Sequence, residues 1–83
     1  MSDAAFKQAF GDVLRELRRE RGLRQEALAE ASTCHVNYVS FLERGINSPT
    51  LMVVFQLAAA LNVSPAELVA RVDERISQNS QRQ

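Results

Sequence analysis

Eighty-three residues hold one domain and leave no room for a second independent core. With 46% apolar and 24% charged residues, two prolines and three glycines, the chain falls outside the disordered and fibrous classes. Its formal net charge is zero, so any preference for a charged partner has to come from where the charges sit.

The first predicted element is a helix over about Asp3 to Arg21. Phe6, Phe10, Val13, Leu14 and Leu17 recur at i, i+4, i+7, i+8 and i+11, one face of a 3.6-residue repeat. Ser2 or Asp3 is placed to cap its start, and Gly22 to stop it. From Lys7 to Arg24 six cations stand against three acids, and nine of the chain's ten cations are arginines. Arginine suits bidentate contact with phosphate or guanine. The competing reading is a solvated helix face on which Glu16, Glu20 and Arg19 pair among themselves.

A short helix is expected from Gln25 to Ala31, turning Leu28 inward, with a break at Ser32-Thr33-Cys34. A third helix follows over about Val36 to Arg44, with Val39 and Leu42 as its inward pair and Gly45 as its end. Neither segment is long enough to be stable alone, so packing must hold both. Two short helices joined by about three residues form a helix-turn-helix, here over residues 25–44. Cys34 falls where such a turn needs a small apolar residue. As the only cysteine it excludes an intrachain disulfide, and with no apolar leader at the N-terminus it points to the reducing cytoplasm. Cys34 beside His35 invites a nucleophile–base pairing, but there is no other histidine and no acid placed to orient one. An enzyme is not expected. No His and Cys cluster has metal-ligand spacing, so neither metal nor cofactor is expected, and no small-molecule ligand is evident.

Asn47 to Thr50 reads as a loop in which Ser48 or Thr50 caps a fourth helix, Leu51 to Leu61. That helix is apolar nearly all round, which implies burial on more than one side. A membrane span needs about 20 such residues, so no membrane partner is expected. Asn62-Val63 ends it. Ser64-Pro65-Ala66-Glu67 then has the form of a capping box, with Pro at the first helical position. Leu68, Val69, Val72 and Ile76 stripe the fifth helix. From Ser77 on the chain is polar and fraying is expected, giving one domain over residues 1–77 and a tail over 78–83. The whole reads as an all-α, five-helix domain.

Three stretches stand in order within this frame: Gly22-Leu23-Arg24-Gln25-Glu26-Ala27-Leu28-Ala29, Tyr38 to Gly45, and Ser48-Pro49-Thr50-Leu51, continued by Leu57 to Pro65. Together they resemble the Cro and phage-repressor helix-turn-helix family, often called XRE, over roughly residues 10–70. The resemblance implies a lambda-repressor-like fold and a regulator that binds double-stranded DNA as a homodimer. A helix fits the major groove, where each base pair carries a distinct donor and acceptor pattern. The third helix would lie there with Val36, Asn37, Ser40, Phe41 and Arg44 outward.

By the resemblance, Asn37 would pair with adenine, Ser40 would donate or accept, and the apolar Val36 and Phe41 could touch only thymine methyls. Gln25 looks like the family residue that grips a phosphate at a helix N-terminus. Arg24, Tyr38, Arg44 and Asn47 are expected on phosphates, fixing register. His35, at the helix start, joins this DNA-facing set. Arg18 and Glu43 match an ion pair joining the first helix to the third and are assigned to architecture. Three positions depart from the family pattern: Thr33 for a turn glycine, His35 for a Ser, Thr or Asp cap, and Val36 for a polar or basic reader. Surplus apolar side chains, Met52, Val53, Phe55, Val69, Val72 and Ile76, are the expected dimer interface. The alternative is a helical protein-interaction module, such as the antitoxin of a toxin–antitoxin pair.

Overall fold

A computed structural model of the chain describes residues 1–81. The described residues form five helices and no strand: α1 Asp3–Glu20, α2 Gln25–Ser32, α3 Val36–Glu43, α4 Leu51–Ala60 and α5 Pro65–Gln81. Hydroxyl side chains complete the first turn of three of them. Ser2 Oγ accepts from the Ala5 N–H at 3.0 Å, Thr50 Oγ1 from the Val53 N–H at 3.1 Å, and Ser64 Oγ from the Glu67 N–H at 3.0 Å.

The first four helices end alike. In each, one residue takes the left-handed conformation, Gly22 (φ 69°), Thr33 (φ 59°), Gly45 (φ 74°) and Asn62 (φ 58°). The N–H of the next residue then reaches back to the helix: Leu23 to Arg18 O, Cys34 to Ala29 O, Ile46 to Phe41 O and Val63 to Ala58 O, at 2.9–3.1 Å. This is the Schellman closure, which satisfies carbonyls that a helix end would leave bare. Thr33 is the costly member. A β-branched residue pays about 1–2 kcal/mol there that glycine does not.

The α1 stripe read from the sequence is the centre of the core. Phe10, Val13, Leu14 and Leu17 are buried together with Leu28, Val39, Leu42, Leu57, Leu61 and Leu68. α1 packs on α3 and α5, α2 on α3 and α4, and α4 on α5. Among the described residues, no single helix is long and apolar enough to cross a membrane.

One expectation needs correction. The polar stretch from Ser77 continues α5 through Gln81, while Arg82 and Gln83, the end of the expected tail, lie outside the described residues. Ion pairs tie the helix to α1. Arg75 reaches Glu16 at 2.7 Å and Asp12 at 3.7 Å, and Arg71 reaches Glu20 at 3.2 Å. In place of the pairs within α1 that the competing reading supposed, Glu16 and Glu20 turn to the arginines of α5.

Candidate nucleic-acid interface

α3 divides cleanly between a packed and an open side. Val39 and Leu42 are fully buried and Glu43 nearly so. On the other side Asn37, Phe41 and Arg44 recur at i, i+4 and i+7 and are exposed, with Ser40 half-buried beside them. The Arg44 guanidinium lies 6.0 Å from the centre of the Phe41 ring, a cation–π contact on the open face.

Three residues of α1, at i, i+4 and i+7, hold the C-terminal end of α3. Gly11 is buried where the helices cross. A Cβ there would stand 2.6 Å from Leu42 O and 2.7 Å from Glu43 O, so no larger residue fits without moving α3. Arg15 Nη2 donates to Glu43 O at 2.7 Å. Arg18 grips the Glu43 carboxylate with two donors, Nε to Oε2 at 2.6 Å and Nη2 to Oε1 at 3.0 Å, and gives Nη1 to Leu23 O at 2.9 Å. The hydrogen-bonded carboxylate raises the Arg18 pKa above its ordinary value despite burial, so the guanidinium stays charged. Gln25 Nε2 completes the shell at 3.0 Å from Glu43 Oε1. No buried side-chain nitrogen or oxygen among the described residues is left without a partner. A buried carboxylate is tolerable only on such terms.

The start of α3 is closed by the histidine that stands in place of a Ser, Thr or Asp cap. His35 has extended backbone, and its Nδ1 accepts from the Asn37 N–H at 3.1 Å. The ring therefore does the cap's work with its proton on Nε2, on an exposed residue. Tyr38 packs its ring on the core, and burial, with Cys34 adding, pushes its phenol above the ordinary range. Val36 is also half-buried against the core. Cys34 packs there too, in the small apolar position of the turn.

Arg24, exposed, precedes α2 and gives no side-chain cap, so the first-turn N–H groups of α2 are not closed by it. Asn47 is half-buried in the loop after α3, next to the exposed Ile46. The set placed by sequence on one open surface thus keeps Arg24, His35, Asn37, Phe41 and Arg44 exposed. Gln25 has its amide nitrogen turned inward to Glu43.

The sequence profile of the Helix-turn-helix family matches residues 14–68, from the middle of α1 into α5. The chain belongs to this family.

Relatives agree with the assignment. The chain is 43% identical over 69 residues to an uncharacterized HTH-type transcriptional regulator, y4dJ, of Sinorhizobium fredii, covering 83% of this chain and 90% of that protein. The restriction-modification controller protein C.AhdI of Aeromonas hydrophila superposes with a TM-score of 0.73 at 44% identity, over 75% of this chain and 94% of its own. The controller protein C.Esp1396I, solved as a tetramer with its natural 35-base-pair operator, superposes with a TM-score of 0.78 at 25% identity, over 86% and 93%. The chain is a transcriptional regulator of the helix-turn-helix type, with the five-helix lambda-repressor-like fold that the resemblance to Cro and the phage repressors implied.

Of the residues expected to mediate self-association in this regulator, Met52, Phe55 and Val69 are 69%, 55% and 51% exposed. Val53 and Ile76 are half-buried against the core. Val72 belongs to the core itself, because α5 turns it inward while Val69, one turn earlier, faces out. Leu51, 71% exposed, is a further apolar side chain that the sequence-based set left out. Sequence reading also missed Gly11 and Arg15. A glycine inside a helix costs about 1 kcal/mol against alanine, and that was the available sign of a close approach at Gly11.

Proposed function

We propose that this regulator is a homodimer that binds a palindromic operator in double-stranded DNA and acts as a repressor or controller, in the cytoplasm and without catalysis. The observation that carries the reading is the open stripe Asn37–Phe41–Arg44 on a helix held from behind by Val39, Leu42 and the Glu43 network. A short helix so fixed can enter the major groove without losing its pose. The solved complex of C.Esp1396I with its operator supports the same use of this fold.

In this reading Asn37 pairs with adenine, with Ser40 beside it, and Val36 and Phe41 face neighbouring base edges. Arg24, Arg44, Asn47 and the Tyr38 hydroxyl contact phosphates, with Nε2 of His35 at the helix start. Gln25 grips phosphate with its second amide hydrogen or through the backbone N–H groups of α2, since its first is given to Glu43. Two copies pair through the exposed Met52, Phe55 and Val69, flanked by Val53 and Ile76 and underlain by Val72. Their two α3 helices then reach successive major grooves about 34–36 Å apart.

Selection of bound sequences from a random duplex pool, followed by titration of the enriched duplex across a salt series, tests this. The expected result is one palindrome, two chains per duplex, and a log–log salt slope near −0.9 per phosphate neutralised. Absence of any enriched sequence, or a protein that sediments only as a monomer with and without DNA, overturns it.

A further inference from the structure

Phe41 is the one aromatic ring on the open stripe of α3. It is 38% exposed, beside Asn37 and Arg44. It neither donates nor accepts, so it reads no hydrogen-bonding pattern. The major-groove edge offers an apolar side chain one target, the methyl group on C5 of a pyrimidine. The Arg44 guanidinium lies 6.0 Å from the ring centre on the same open face.

We infer that Phe41 makes this regulator a reader of C5-methyl pyrimidines, so that its operator affinity responds to cytosine C5 methylation as well as to sequence. The inference rests on the DNA-binding reading and deepens it. Thymine and 5-methylcytosine carry the methyl group at the same place on the groove edge. They differ in the 4-substituent, an acceptor in thymine and a donor in cytosine, which a phenyl ring does not distinguish. Polar readers on α3 are few, Asn37 and Ser40, so a methyl contact forms a large share of what the helix recognises. Val36, the other apolar residue of the DNA-facing set, is half-buried and contributes less surface.

The test starts from the duplex enriched by selection and replaces each thymine singly by deoxyuridine, which removes the methyl and keeps the pairing. At one or two positions per half-site the wild-type protein should lose about fourfold in affinity, equivalent to about 0.8 kcal/mol for one buried methyl-sized group. Phe41→Ala should bind the thymine and uracil duplexes alike, and Phe41→Leu should keep part of the difference. At the same positions a 5-methylcytosine·guanine pair should bind about fourfold better than cytosine·guanine. Uniform affinity for all uracil duplexes on wild-type protein overturns the inference while the DNA reading stands. A uracil effect that Phe41→Ala leaves intact does the same, as does a Phe41→Ala protein that changes oligomeric state instead of methyl dependence. A pool with no enriched duplex removes the reading underneath and this inference with it.

Discussion

Arg15 Nη2 lies 2.7 Å from the carbonyl oxygen of Glu43, so a side chain of α1 satisfies the last turn of the helix that faces outward. The contact closes a bare carbonyl and sets the tilt of α3 against α1. Arg15 is half-exposed, so its loss should cost stability little, about 1 kcal/mol. Arg15→Gln should instead weaken the enriched duplex about tenfold more than random duplexes, with an unchanged salt slope. A direct phosphate contact would behave differently. It would weaken all duplexes alike and reduce the slope by about one. Titration of both duplexes at several salt concentrations separates the two.

Gly11→Ala carries opposed expectations that decide the packing at the crossing. In an open helix the change would stabilise by about 1 kcal/mol. Here the new Cβ falls 2.6 Å from Leu42 O, against backbone that cannot rotate away. Overpacking should dominate and destabilise by about 1–3 kcal/mol in urea denaturation. A gain in stability would show that α1 and α3 do not approach this closely.

Glu43→Ala strands the Arg18 guanidinium and removes the acceptor of Gln25 at once. A loss of about 3–5 kcal/mol is expected, close to the whole stability of a domain this small. Glu43→Gln keeps the shape and loses the charge, so it should fall between the alanine variant and the wild type. Thermal melts of the three proteins should give that order, and equal melting temperatures would contradict the ion pair's role.

Several of these contacts were legible in the sequence, and the reasons differ. The 3.6-residue stripe of α1, the Ser64-Pro65-Ala66-Glu67 start of α5 and the helix stops at Gly22 and Gly45 are local signals, written within a few residues. Arg18 and Glu43 were found only because their positions match a family pattern; nothing local pairs residues 25 apart. Arg15 gave no such signal, since a cation on a charged face looks the same whether it faces water or a carbonyl. Periodicity also placed Val69 and Val72 on one apolar stripe but could not say which neighbour covers which edge. Packing of the fifth helix buries Val72 and leaves Val69 outside. Past Ser77 composition alone suggested fraying, whereas α5 continues through Gln81.

Tyr38 is the only tyrosine, so its ionisation can be followed directly by phenolate absorbance. An unfolded tyrosine titrates near 10, and burial raises the folded value above that. The unfolded chain then loses its proton first as pH rises, so this contribution to stability is intact below pH of about 10 and declines above it. Tyr38→Phe should flatten the alkaline limb of the stability profile and leave the neutral region almost unchanged. A folded midpoint at or below that of the denatured chain would contradict the packing of the ring on the core.

Base reading by α3 is tested most directly with Asn37→Ala, titrated in parallel against the enriched operator and a random duplex of equal length. Loss of one amide that pairs with adenine should cost about 1–3 kcal/mol on the operator, relax preference at one position per half-site, and leave random DNA untouched. Equal losses on both duplexes would mean that Asn37 only touches the backbone, and no loss on either would mean that α3 does not lie in the groove.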